Sequence, residues 1–344
     1  MLDGKTILLT GGTGTFGQFF TQYILLRYNP SKIIIYSRDE YKQFHMARRF
    51  RAEFPEHFAK LRFFIGDVRD KVRLSRALEG GVDYVIHAAA MKQVPACEYN
   101  PFEAVKNNIH GAQNVIEAAL DCGIEKVVAL STDKAVNPVN LYGATKMVSD
   151  RLFIAANSYV GSVRATRFAV VRYGNVFGSR GSVLPLFRKL LSEGKKCLPI
   201  TDTRMTRFWI STEEAVELVL LALEQTDGGE TYIAKIPSIK MTDLAEAMSP
   251  KSEGGSIELV GIREGEKLHE VMITEDDAPY AYECDRHYVI YPAHNWWSAP
   301  RTIQGVKVAE GFCYSSGEND RWLGVPQIRD RLQAITDKTI VEND

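Results

Sequence analysis

Residues 6–17 read Thr6-Ile7-Leu8-Leu9-Thr10-Gly11-Gly12-Thr13-Gly14-Thr15-Phe16-Gly17. An apolar run of strand length meets a glycine-rich turn, and an amphipathic stretch over Phe16–Tyr28 follows with helical spacing. The glycines at 11, 14 and 17 divide the work. The first permits a tight turn, the second lets backbone approach a pyrophosphate, and the third lets the helix pack on the strand. Glycine-rich turns are common, so the weight comes from the strand–loop–helix setting. Gly11, Thr13, Gly14, Thr15, Phe16 and Gly17 are the candidate dinucleotide cradle.

Further short apolar runs follow outward from this turn: Lys32–Tyr36, Leu61–Ile65, Tyr84–Ala88, Lys126–Leu130 and Phe168–Arg172. They are continuously apolar rather than alternating, as strands buried on both faces should be. Helical stretches at Leu74–Leu78, Ala104–Cys122 and Met147–Tyr159 make the connections right-handed crossovers. The expected fold is α/β, a doubly wound parallel sheet. Beyond Tyr173 the pattern loosens. Glu213–Glu224 reads as a helix and Thr231–Lys235 as a strand returning to the sheet. Pro237–Gly255 shows weak periodicity, and the polar tail from Trp296 holds one helical stretch around Pro326–Ile335. The expected division is a cofactor domain over 1–172, with 205–240 returning to it, and a smaller substrate-binding domain from 173–204 and 241–344.

The chain has 344 residues, 45% of them apolar and 25% charged, and a formal net charge of -1. That balance fits a globular protein with a proper core, and gives no bulk field for nucleic acid or anionic membrane. No apolar run reaches the roughly 18 residues of a membrane span. The start lacks a signal-peptide layout. Five scattered cysteines without a CxxC pair predict neither a disulfide framework nor a metal site. A reducing cytoplasm is the expected compartment.

The second strand ends in Ser37-Arg38-Asp39. Arginine there accommodates a ribose 2′-phosphate, whereas an acidic residue accepts from the free 2′-hydroxyl. Ser37, Arg38 and Lys42 favour NADP; Asp39 turned to the ribose would restore NAD. Asp67-Val68 follows the third strand at the adenine edge, and Ala88-Ala89-Ala90 supplies small side chains where backbone passes the dinucleotide. Tyr142 and Lys146 share one helix face at i,i+4 spacing. A free tyrosine has a pKa near ~10. A lysine one turn away stabilises the phenolate, making Tyr142 a proton acceptor for a sugar hydroxyl.

These motifs, with His87-Ala88-Ala89-Ala90, Ser131-Thr132-Asp133-Lys134-Ala135 and Arg172-Tyr173-Gly174-Asn175-Val176, occur in the order seen in extended short-chain dehydrogenases/reductases. The chain resembles their nucleotide-sugar epimerase/dehydratase group, of Rossmann-type fold. Within it, the chain is most similar to the inverting UDP-N-acetylglucosamine 4,6-dehydratases of the pseudaminic acid pathway, which serve flagellin glycosylation. Met91-Lys92-Gln93-Val94-Pro95 and Glu264-Gly265-Glu266-Lys267-Leu268-His269-Glu270 support the likeness, which runs to about residue 290.

The resemblance implies a hydro-lyase: oxidation at C4, loss of water across C5–C6, hydride return to C6, and inversion at C5. Retaining relatives carry Asp-Glu where this chain has Asp133-Lys134. Asp133 would protonate the departing 6-hydroxyl and Lys134 would take the C5 proton, provided burial lowers its pKa. Thr132 would bind the 4-oxygen. Lys92 would reach substrate or cofactor phosphates, and Asn175 the sugar or its phosphate. Val183, within Gly181-Ser182-Val183-Leu184-Pro185, belongs to the start of a segment wrapping the nucleotide, and Thr206, Arg207 and Arg263 lie where the diphosphate needs cations. Glu266 is either a ligand of the uridine ribose or a solvated charge. His87 reads as structural. NADP, UDP-N-acetylglucosamine and a homo-oligomer are expected, and nucleic acid and membrane are not. The rivals are a UDP-sugar 4- or 5-epimerase on the same fold, and a non-catalytic NADP sensor or scaffold.

Overall fold

A computed structural model describes residues 1–160, 165–179, 181–294, 296–297 and 302–337. Strands β1 (Thr6–Thr10), β2 (Lys32–Ser37), β3 (Leu61–Ile65), β4 (Tyr84–His87), β5 (Lys126–Leu130) and β6 (Arg167–Arg172) follow the apolar runs closely. They pair in parallel in the order β6-β5-β4-β1-β2-β3. The order reverses between β1 and β4, and this switch point opens a crevice at the strands' carboxyl ends. Ile7 and Leu9 enter one apolar core with Phe20 and Ile24, while Leu8 enters a second core with Val85, Val127 and Phe168. Both faces are thus covered, which is why the strands do not alternate in polarity.

The sheet continues past β6 with Thr231–Ala234, parallel to it, and then His287–Ile290, Ala281–Glu283 and Val306–Lys307, all antiparallel. Part of 241–344 therefore extends the main sheet, contrary to the expected boundary. Thr231–Ala234 is buried throughout, and a strand so placed needs a partner on its outer edge. The smaller lobe has its own core, built from Phe177, Leu184, Phe187, Ile200, Trp209, Leu244 and Ile328. A helix over Met241–Met248 arises in the stretch that had suggested no element. Met241, Leu244 and Ala245 form its buried stripe.

The expected continuous helix over Ala104–Cys122 is interrupted. Pro101–Val105 runs into a π-helical turn at Lys106–His110 before Gly111–Asp121 resumes. Asn108, in that wider turn, bonds the backbone of Met91 in both directions and the Thr145 hydroxyl. Among the described residues, no helix is long and apolar enough to cross a membrane.

Candidate active site

A cleft of about 930 Å³ follows the carboxyl ends of the parallel strands and passes beneath the smaller lobe. At one end lies the glycine turn. Gly11 has φ +65°, and a Cβ there would stand 2.9 Å from the Ala89 nitrogen. The helix α1 (Thr15–Arg27) starts at Gly14 with no side-chain cap, leaving its first N–H groups for an anion. Thr13, Thr15, Phe16 and Gly17 line the same wall. This cradle, whose turn has room for no side chain at Gly11, fits the pyrophosphate of a dinucleotide.

Ser37, Arg38 and Lys42 line the next part of the cleft. Ser37 shares a hydrogen bond of 2.8 Å with Thr13. The Asp39 carboxylate caps the following helix by accepting from the Lys42 backbone, and pairs with the Lys42 ammonium at 3.4 Å. Asp67 is held by Arg69 at 2.7 Å and lies 3.7 Å from Arg38. Burial alone would raise its pKa, but Arg69 and Arg38 keep it below the usual carboxylate range. Val68 is buried against Gly111. The Ala88 and Ala89 N–H groups donate to the Thr10 hydroxyl, whose own proton therefore goes to His87 Nδ1 at 2.9 Å. Burial, with Lys146 nearby, pushes His87 down to about 3 and keeps it neutral. Lys92 opens onto the cleft, where desolvation lowers its pKa.

The central residues come from two adjoining pieces. Asn140 caps the helix Leu141–Ala155 by accepting from Gly143, and Glu98 accepts from the Leu141 N–H. The helix thereby presents Tyr142 and Lys146, both buried, to the cleft. Thr132, at the end of β5, caps the single turn Asp133–Ala135. Its hydroxyl donates to Asp133 Oδ1 at 3.0 Å.

Electrostatics here depart from expectation in two ways. Burial pushes Tyr142 up to about 12, and the chief cation opposing that rise is Lys134, not Lys146. Lys146 is itself lowered by burial, with Asp150 as its counter-charge. Second, Lys134 is not lowered. Burial acts in that direction, but Asp133 and Glu270 outweigh it and hold the ammonium above the ordinary lysine range. Its Nζ lies 3.0 Å from Asp133 Oδ1 and 3.0 Å from Glu270 Oε1. The expectation of a neutral Lys134 took account of burial and nearby cations, and omitted the second carboxylate.

At the substrate end, Asn175, Val183, Arg207, Arg263 and Glu266 all line the cleft. The Asn175 amide oxygen is buried with no partner among the described residues. Arg207 is largely spent on the fold, donating to the carbonyls of Thr206 and Leu268 and facing Glu270 at 3.8 Å. Arg263 is exposed and lies 3.8 Å from Glu266. Thr206 does not join the group. It is buried, and its hydroxyl bonds His269 Nδ1 and the Ser316 hydroxyl. As a strand residue, it points away from the cleft where its neighbour Arg207 points in.

Three residues given no role by sequence reasoning stand out. Glu270 is 2% exposed and faces three cations. Asp150 is buried between Ser131 and Arg172. Asn107 reaches the cleft from the π turn. Asp150 stands one helical turn beyond Lys146, a spacing that could have flagged it. Glu270 had no such local signal.

Residues 7–292 match the family described as polysaccharide biosynthesis protein. The chain is 56% identical to the UDP-N-acetylglucosamine 4,6-dehydratase (inverting) of Campylobacter jejuni, over 94% of this chain and 95% of the other. It is 42% identical to the UDP-glucose 4-epimerase of Rickettsia canadensis, over 97% of each. The crystal structure of Pen from Bacillus thuringiensis superposes with a TM-score of 0.84 at 37% identity, covering 97% of this chain and 99% of that one.

Proposed function

The chain belongs to the polysaccharide biosynthesis protein family, and on that footing we propose that it is an inverting UDP-N-acetylglucosamine 4,6-dehydratase of nucleotide-sugar biosynthesis. The observation that carries this reading is Asp133-Lys134 set beside Tyr142 in a cleft with a dinucleotide cradle at its other end. Asp133-Lys134 equips the site for elimination.

The glycine turn, Ser37, Arg38, Lys42, Asp67, Val68, Ala88, Ala89 and Lys146 would hold a nicotinamide dinucleotide, which when bound supplies a reversible hydride acceptor. NADP is favoured over NAD because Asp39 is engaged as a helix cap and Arg38 is exposed at the cleft. Tyr142 takes the proton of the 4-hydroxyl, with Thr132 beside it to bind the oxygen. A ketone at C4 then acidifies the C5 proton, and Asp133 with Lys134 moves the protons of the elimination. Lys92, Asn175, Val183, Arg207, Arg263 and Glu266 orient the sugar and the UDP group. The reading extends to a cytoplasmic homo-oligomer serving pseudaminic acid synthesis and flagellin glycosylation; exposed Tyr99 and Phe102 suit a contact between copies.

Incubation with UDP-N-acetylglucosamine tests the proposal. Mass spectrometry should show loss of one water, and NMR a 4-ketone with C5 inverted. A product of unchanged mass would instead support 4-epimerisation, the second reading, which the Rickettsia relative favours.

A further inference from the structure

Lys146 lines the cleft yet is only 3% exposed. A buried ammonium without a counter-charge gives up its proton. The helix of Lys146 supplies one: Asp150 follows a turn later on the same face and is as deeply buried. Among the described residues the Lys146 ammonium makes no hydrogen bond, so its donors stay free for a ligand.

The Asp150 carboxylate is clamped from two strands. Ser131, which follows β5, donates its hydroxyl to Oδ2 at 2.5 Å. Its own N–H is tied to the Val171 carbonyl at 2.7 Å, which fixes the hydroxyl in place. From β6, the Arg172 guanidinium stands 3.7 Å from the same oxygen. Arg172 also donates at 2.8 Å to the carbonyl of Met272, two residues along the strap of chain that brings Glu270 to the centre. The other oxygen, Oδ1, is buried with no hydrogen-bond partner among the described residues. One carboxylate is thus shared between two cations.

We propose that Asp150 is a positioning residue for cofactor binding: clamped by Ser131 and Arg172, it keeps Lys146 an ammonium whose N–H groups hold the ribose of the nicotinamide dinucleotide. This rests on the cofactor reading of the cleft. Arginine does not release its proton in a protein. A loss of negative charge from the cluster therefore falls on Lys146.

The surrounding charges agree. Burial lowers Lys146, and Asp150 acts against it. Burial raises Asp150, while Lys146, Arg172, the Ser131 hydroxyl and Arg151 oppose the rise. His87 faces Lys146 from β4, but at about 3 it is neutral throughout the physiological range. Tyr142, one turn earlier on the helix, is pushed up to about 12 and keeps its proton there.

Asp150→Asn keeps the shape of the side chain and an acceptor for Ser131, and removes the charge. Calorimetric titration with NADP from about pH 6 to about pH 9 gives the ratio of variant to wild-type dissociation constant at each pH. Dependences common to both proteins, such as that of the ribose 2′-phosphate, cancel. The ratio should be smallest at the acid end, where Lys146 is charged in both. It should climb by up to about tenfold per unit once the variant's lysine titrates, and level off where the wild type's titrates too. Asp150→Glu retains the charge, and its ratio should vary little with pH. A ratio for Asp150→Asn that is constant with pH, as a structural role predicts, overturns the inference. So does one that falls with pH, or an Asp150→Glu ratio that climbs as steeply.

NMR of the unaltered chain carrying 15N-lysine needs no variant. Lys146 Nζ should lie in the ammonium range at about pH 7, well below the ordinary lysine value near ~10.4, and an amine shift there overturns the assignment. A wild type that binds neither NADP nor NAD fails the cofactor reading itself. A wild type that binds, with a ratio independent of pH, fails only the inference.

Discussion

Gly143 packs directly on the carbonyl of Lys134, so closely that any Cβ at position 143 would overlap that oxygen. One residue is in the first turn of the helix that carries Tyr142; the other is in the single turn Asp133–Ala135. The absence of a side chain is what allows the two pieces to meet.

Gly143→Ala should therefore push these pieces apart. A forced overlap of this kind costs about 1–3 kcal/mol, which urea unfolding would register as a lower midpoint. Turnover should fall further than the stability change explains, because Tyr142 and Lys134 separate. A variant with wild-type turnover would show that the site tolerates the displacement.

Tyr142→Phe removes the proposed proton acceptor and leaves the ring in its buried place beside Cys97 and Ala104. Loss of a general base lowers rates by about 10²–10⁴. The expected result is a drop of that order in dehydrated product, with an unchanged circular dichroism spectrum. Retention of more than a tenth of the wild-type rate would remove Tyr142 from the role.

His87 sets an acid limit to stability. Its folded value is pushed down to about 3, against an ordinary 6.5. Below pH 6.5 the unfolded chain binds a proton that the folded chain refuses, so stability present above that pH is lost as pH falls towards 3. The ceiling of the effect is about 5 kcal/mol. Melting temperature should fall from pH 7 to pH 5 in the wild type, and fall less in His87→Gln. Equal slopes would exclude His87 as the cause.

Arg38→Ala tests the cofactor reading. A charge-assisted hydrogen bond contributes about 1.5–3 kcal/mol, so affinity for NADP should drop roughly ten- to a hundredfold while affinity for NAD changes little. Calorimetric titration with each dinucleotide measures both. Equal losses would point to adenine stacking instead.

The parallel half of the fold was legible because its strands, the edge strand β3 apart, are buried on both faces and carry that burial in their composition. The glycine turn and the placing of Tyr142 and Lys146 on one helix face were legible because each is a local pattern of spacing; the charge that acts most on Tyr142, Lys134, comes from a different element. The antiparallel strands Ala281–Glu283 and Val306–Lys307 are three and two residues long, too short to show a period. Helix Met241–Met248 does have its apolar stripe, but over barely two turns flanked by lysine, serine and glycine. The charge state of Lys134 was only half legible: Asp133, the larger counter-charge, adjoins it in sequence, while Glu270 reaches it through tertiary structure alone. Thr206 and Arg207 were read together as one phosphate-facing pair, although adjacent strand residues face opposite sides.

The last strands of the sheet bear on how far the chain can be shortened. A protein ending before Ala281 would keep the glycine turn, the helix of Tyr142 and the strap with Glu270. It would also leave Thr231–Ala234, a strand apolar on both faces, with an open row of amides and carbonyls. Such an edge recruits other chains. The segment after the strap thus covers that edge: truncation there should yield aggregates from a chain that still held Asp133, Lys134, Tyr142 and Glu270.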